Sequence, residues 1–377
     1  MKIVELITER EVVICCGSGG VGKTTTAAVL ALEAARGGRR ACVVTIDPAK
    51  RLADTLGVAE LSNQATEIDR SLWDNHETDV APGGALFALM LDTKSTFDRL
   101  VTRNAQDEEQ VQRILDNRFY RNVSGALGGT AEYMAMEKLH ELHDEGDYDL
   151  IVVDTPPTRH ALDFLDAPKR LTRLLDNRIF RLLIMPTRAY VKIASVAVQT
   201  FLHTVSRVVG SEVVDDVVSF LRAFEGMEQG FRARAQAVDQ LLADPRTAFV
   251  LVTSPRRDAL EEATFFADRL AMNGQRVEAL IVNRVHPPFG DELPAGLRAA
   301  AGALRLDGSD GALRLAFVYD NLADFREIAL LEREHIDGLR DKIGGAVVSF
   351  VPYLARDVYD FAALHEVGVL LIDGDAG

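Results

Sequence analysis

Gly17-Ser18-Gly19-Gly20-Val21-Gly22-Lys23-Thr24 stands between an apolar run, Val12–Cys16, and a helical pattern, Lys23–Arg36. It satisfies G-x-x-x-x-G-K-[ST], a spacing that reads as a phosphate cradle when a strand precedes it and a helix follows. Glycines let backbone N–H groups turn toward an anion without interference from Cβ, and the head of the helix adds partial positive charge. Gly19, Gly20, Val21 and Gly22 are therefore expected to shape the anion hole, with Thr25 behind them in the first helical turn. Lys23 reaches β- and γ-phosphates in such a loop, and the Thr24 hydroxyl is a Mg²⁺ ligand.

The same glycines also spell G-x-G-x-x-G at Gly17, Gly19 and Gly22, and Asp47 follows a second apolar run, as in a dinucleotide site. An NAD-dependent oxidoreductase is therefore a rival reading. A dinucleotide site has no use for Lys23 and Thr24, and Pro48 after Asp47 opens a loop. A further run also ends in Asp154, where a phosphate-loop enzyme needs a second carboxylate.

The 377 residues are 47% apolar, ample for a large core. A formal net charge of −15 argues against nucleic acid and anionic membrane as partners, because both demand basic surface. Cys15, Cys16 and Cys42 all fall in apolar runs with no metal-ligand spacing, which suits buried thiols in a reducing cytoplasm. The N-terminal residues carry acids where a leader needs an apolar core, and the greasiest stretch, 179–198, contains Arg181, Pro186, Arg188 and Lys192. A cytoplasmic chain with no integral membrane segment is expected.

Short Val- and Ile-rich runs recur at 12–16, 41–46, 86–91, 150–153, 248–252, 279–282 and 346–351, with helical patterns between them. Runs apolar on both faces suit parallel strands covered by helices. The prediction is an α/β fold with a mostly parallel central sheet flanked by helices, in a single domain spanning 1–377. Two stretches, about 94–145 and 168–245, read as helix after helix and are expected to be insertions at one end of the sheet.

Two carboxylates follow strands. Asp154 closes an apolar run where an acid would sit beside Mg²⁺ and act on it through water. Asp47 could hold an attacking water, or could cap the helix near residue 51.

The segment 17–25, Thr45-Ile46-Asp47-Pro48-Ala49-Lys50 and Asp154-Thr155-Pro156-Pro157-Thr158-Arg159-His160 together resemble the ArsA/GET type of ATPase, relatives of the MinD/ParA group. Ala279-Leu280-Ile281-Val282-Asn283 and Val351-Pro352-Tyr353 resemble that family's adenine pocket. The resemblance covers nearly the whole chain. It implies a P-loop NTPase that binds Mg²⁺ and ATP at a dimer interface and closes on ATP. By position Asp47 matches the water-activating acid, with Lys23 its catalytic partner at the phosphates. Asp154 matches the acid beside the metal, and Asn283, Pro352 and Tyr353 match the base pocket. His160 matches a structural position.

The chain departs from that pattern at Ser18, where the family carries a second lysine that reaches the other subunit's phosphates. Either a paralogous ATPase with a complete loop supplies the cation, or this subunit hydrolyses slowly and mainly senses ATP. The dimer is a homodimer or a heterodimer with a paralogous ATPase, and the alternative reading is a low-activity regulatory nucleotide-binding subunit paired with such a paralogue. The targeting factor's Cys-x-x-Cys and the arsenite pump's metalloid cysteines are missing. The apolar series running from Ile179 to Val205 is where the resemblance implies a groove for a hydrophobic protein client; packing of the insertion on itself explains the same side chains. Met134 and Met136 are too few to make a methionine-rich groove.

Overall fold

A computed structural model describes residues 2–46, 51–74, 80–123, 130–156, 158–177 and 210–373, and its strands form one eight-stranded sheet. The strands are β1 (Val12–Cys16), β2 (Arg40–Thr45), β3 (Thr66–Glu67), β4 (Ala85–Met90), β5 (Leu150–Asp154), β6 (Thr247–Thr253), β7 (Val277–Val285) and β8 (Val347–Pro352). Their order is β3-β4-β2-β5-β1-β6-β7-β8. Every pairing is parallel except that of β3 with β4. The seven apolar runs are β1, β2 and β4 to β8. The sequence reading missed β3, two exposed polar residues with no apolar signal.

Burial on both faces explains the parallel arrangement. Val13 and Cys15 of β1 pack with Ala27, Leu30 and Ala31 of α2 (Lys23–Arg36), while Leu364 and Val367 of a C-terminal helix join the same core. Val12, Ile14 and Cys16 face the other layer. That layer holds Met136 and Leu139 of α7 (Thr130–Glu145), together with Val238, Phe266 and Ile336 from three later helices. Cys15 and Cys16 thus point to opposite faces, and all three cysteines are buried free thiols.

The remaining helices are α1 (Ile3–Glu9) before β1 and α3 (Arg51–Thr55) after β2. Between β4 and β5 stand α4 (Thr93–Asn104), α5 (Glu108–Leu115), α6 (Arg118–Val123) and α7. Between β5 and β6 the described helices are α8 (Thr158–Asp176), α9 (Ser211–Ala223) and α10 (Glu228–Ala243). These two helical stretches share a core of their own, with Leu100, Ile114, Met134, Leu175, Met227 and Phe231 in contact. α11 (Arg257–Met272) joins β6 to β7, and α14 (Phe361–Asp373) follows β8.

A third helical excursion was not legible in the sequence. α12 (Pro294–Asp307) and α13 (Asp310–Lys342) form a hairpin between β7 and β8, and α13 runs for 33 residues. No helix among the described residues is long and apolar enough to cross a membrane. Asp47 and its neighbours at 48–50, and the apolar series from Ile179 to Val205, lie outside the described residues.

Candidate phosphate-binding site

The loop leaves β1 at Cys16 and enters α2 with Gly22 as the N-cap, at φ +99° and with no side-chain cap. A Cβ on Gly22 would lie 2.2 Å from Asn283 Nδ2, and one on Gly17 would lie 2.0 Å from the backbone oxygen of Val252. Only bare backbone fits between β6 and β7 at these two points. Lys23 is buried, and its ammonium donates to the Ser18 carbonyl at 2.8 Å. The cation is thereby folded back over the loop it would serve.

Asp154 ends β5 in register with Cys15 on one side and Thr45 on the other. Its Oδ2 accepts from Thr24 Oγ1 at 2.7 Å and from Thr45 Oγ1 at 3.0 Å. A hydroxyl that donates to a carboxylate keeps its lone pairs for a cation. Thr24 and Asp154 thus offer the hard oxygen donors that suit Mg²⁺. Next in the chain, Thr155 Oγ1 donates to the Cys15 carbonyl at 2.8 Å and ties β5 to β1 at this edge. Burial pushes the Cys16 and Cys42 thiols up to about 12 and holds Cys15 well above the ordinary thiol value, with Asp154 adding to the effect at Cys15. These thiols stay protonated and serve as packing.

A cavity of about 310 Å³ opens over the loop, with Gly19, Gly20, Gly22, Lys23, Thr24, Thr25 and Asp154 in its wall. The sequence reading did not single out Arg51, Asp54 and Thr55 of α3, or Arg284, which complete that wall. Arg284 has φ +60°, an uncommon conformation for a residue with a side chain. Its guanidinium donates to the Gly20 carbonyl at 3.2 Å. Thr45 was also missed; the only signal was a hydroxyl residue closing β2 level with Asp154.

Asn283 stands at the same edge and donates from Nδ2 to the Val21 carbonyl at 2.9 Å, while its Oδ1 accepts from the Arg284 N–H. Its amide therefore braces the loop. Pro352 lines a different cavity, of about 370 Å³, together with Val285, His286 and Phe350. Tyr353 is exposed; its N–H donates to the Val285 carbonyl and its ring centre lies 5.0 Å from that of His286. The structure thus brings together Gly19 to Thr25, Asp154 and the Asn283 side chain. Pro352 and Tyr353 stand apart from the phosphate-loop cavity.

Comparison with known proteins agrees with this layout. A family model described as anion-transporting ATPase matches residues 10–294. A protein described as an arsenical pump-driving ATPase from Aquifex aeolicus is 24% identical over 73% of this chain and 63% of its own length. ATPase GET3 from Malassezia globosa is 25% identical over 74% of each chain. An uncharacterized Streptomyces coelicolor protein is 29% identical over 72% of this chain and 61% of its own. The matched part thus spans less than two thirds of two of these relatives. With the glycine loop, the parallel sheet and the matched 285-residue stretch in accord, the chain is a member of the anion-transporting ATPase family of ArsA type, on an α/β P-loop NTPase fold.

Proposed function

We propose that the chain binds ATP with Mg²⁺ in the cavity above α2 and hydrolyses it to ADP and phosphate, as a nucleotide-gated switch. The observation that carries this reading is the convergence of Thr24 and Thr45 on one oxygen of Asp154, next to the buried Lys23. Lys23 would leave the Ser18 carbonyl for the phosphates, a move between two acceptors that costs little because the ammonium stays hydrogen-bonded throughout. Backbone N–H groups of the loop would hold the phosphate oxygens. Mg²⁺, when bound, would draw charge from the β- and γ-phosphate oxygens. Thr24 would be a direct ligand, and Asp154 would orient it and accept through water. Asp47 would position the attacking water, two residues beyond Thr45 at the end of β2.

Calorimetry tests the binding half. Lys23→Ala should weaken Mg-ATP binding severely, and undiminished affinity would move the nucleotide elsewhere. Asp47→Asn should leave binding intact and slow turnover; unchanged turnover would remove Asp47 from the reaction.

The family resemblance supports a dimer closed by ATP, homomeric or formed with a paralogous ATPase, that handles a hydrophobic protein client. Ser18 favours a second reading, a regulatory nucleotide-binding subunit. Serine carries no charge, and a cation acting across a dimer is worth roughly 10³–10⁵ in rate by analogy with arginine fingers. Single-turnover hydrolysis by the purified chain separates the two, since brisk activity from this chain alone excludes the regulatory one. The dinucleotide reading finds no support in the family match.

A further inference from the structure

The α12–α13 hairpin carries its large apolar side chains on the wrong side for a finished core. The buried residues of the hairpin's outer part are few: Leu297 and Ala301 on α12, and Ala316, Ala323, Arg326 and Ala329 on α13. Arg298 and Arg305 of α12 pair with Asp324, Glu327 and Asp320 of α13. Leu313, Phe317, Val318, Phe325, Ile328 and Leu331 are each between 41 and 64% exposed, the Phe325 ring resting by one side on Phe289 at 5.4 Å between ring centres. At 100° per residue, Val318 and Phe325 continue the helix face that buries Ile336 and Leu339 against the sheet lower down. The core-facing stripe of α13 therefore runs on past the sheet for about 30 Å.

That stripe has an internal symmetry. About a centre at residue 322, Leu313 stands opposite Leu331, Phe317 opposite Ile328 and Val318 opposite Phe325, each pair within one residue of register. Members of each pair also fall within about 20° of each other around the helix. Asn321 and Asp324 form a further pair near the centre, an amide donor opposite a carboxylate acceptor. An apolar pattern that reads alike from both ends is what a two-fold, isologous helix contact requires.

We propose that α13 pairs antiparallel with α13 of a second copy of this chain, on a two-fold axis near residue 322. Asp324 keeps its Oδ1 on Arg298 of its own hairpin and accepts from Asn321 of the other chain at its second oxygen, a polar pair that fixes register in an apolar seam. The antiparallel arrangement sets the two sheets toward opposite ends of the shared helices. Six side chains of about 200 Å², each about half exposed, offer on the order of 600 Å² per chain, close to the ~800 Å² per partner of a stable interface. An apolar patch of that size stands at the upper end of what monomers expose. This contact does not involve the nucleotide and is separate from the ATP-gated pairing proposed above.

Sedimentation of the full chain without nucleotide, across a concentration series, tests the proposal. A reversible dimer is expected, with Ile328→Asp raising the dissociation constant more than about tenfold and Lys23→Ala leaving it unchanged. Both positions of the Phe317–Ile328 pair are exposed, so Phe317→Asp supplies a second variant that does not threaten the fold. Cross-linking fixes the geometry, because the native cysteines are buried and a mild oxidant meets only an introduced thiol. Asn321→Cys, beside the axis, should link to itself, whereas Leu313→Cys should link only when Leu331→Cys is also present. A chain that is monomeric without nucleotide overturns the proposal, as does a monomer that seats a hydrophobic peptide helix on this stripe. Association that appears only with ATP overturns it too, while leaving the nucleotide-gated dimer standing.

Discussion

At the scale of single residues, the site depends on close approaches that only particular side chains permit. Gly17→Ala drives a Cβ into the Val252 carbonyl, a backbone atom that cannot step aside. It should cost about 3 kcal/mol of stability, read from urea denaturation. Arg284 pulls in two directions. Its left-handed backbone is strained, while its guanidinium supplies positive charge at the cavity wall. Arg284→Gly should therefore stabilise the fold by about 1 kcal/mol and weaken Mg-ATP binding about tenfold. Undiminished Mg-ATP affinity in this variant would remove Arg284 from the site. Lys23, Thr24 and Asp154 could be read from the sequence because motif spacing and strand endings announce them. Thr45 and Arg284 could not, because their place depends on strand register and on a turn joining positions more than two hundred residues apart.

Elements show where periodicity speaks and where it fails. The buried strands announce themselves because both faces are apolar. α13 hides, since Leu315 and Leu330 put apolar side chains off its apolar stripe and blur the helical period. Its anchoring is also invisible in sequence. The buried Arg326 donates to the Glu292 carbonyl at 2.8 Å and to those of Pro288 and Gly290, and Glu332 clasps both the N–H and Nδ1 of His286. These contacts bind the hairpin to the turn that follows Arg284. In the other helical layer, His140 of α7 is held below the ordinary histidine range by burial, with Arg234 adding to it. The folded state therefore favours the neutral ring. Its contribution is complete above the ordinary value of 6.5 and is lost as pH falls below that. His140→Gln should flatten the pH dependence of stability in this acidic window; an unchanged slope in denaturant titrations would assign the loss to other groups.

Over the whole molecule, a strongly acidic chain gathers a few cations and many amides at one point of a parallel sheet, and α2 makes the terms of that arrangement visible. Asp92 caps α4, Asp107 caps α5 and Ser309 caps α13, each with a side-chain oxygen. α2 starts at a residue that has no side chain to offer. With no cap side chain in the way, the leading amide hydrogens of the sheet's central helix can turn to a visiting oxyanion, which would then be an end-piece of the fold as much as a reactant. Inorganic phosphate or sulfate alone should then raise the melting temperature by a few degrees over chloride at equal ionic strength, and Lys23→Ala should blunt the gain. Equal melting in all three salts would mean that the helix head is satisfied by solvent. If the gain is seen, a resting molecule short of nucleotide is also a slightly unfinished one, and its supply of ATP is part of what keeps it folded.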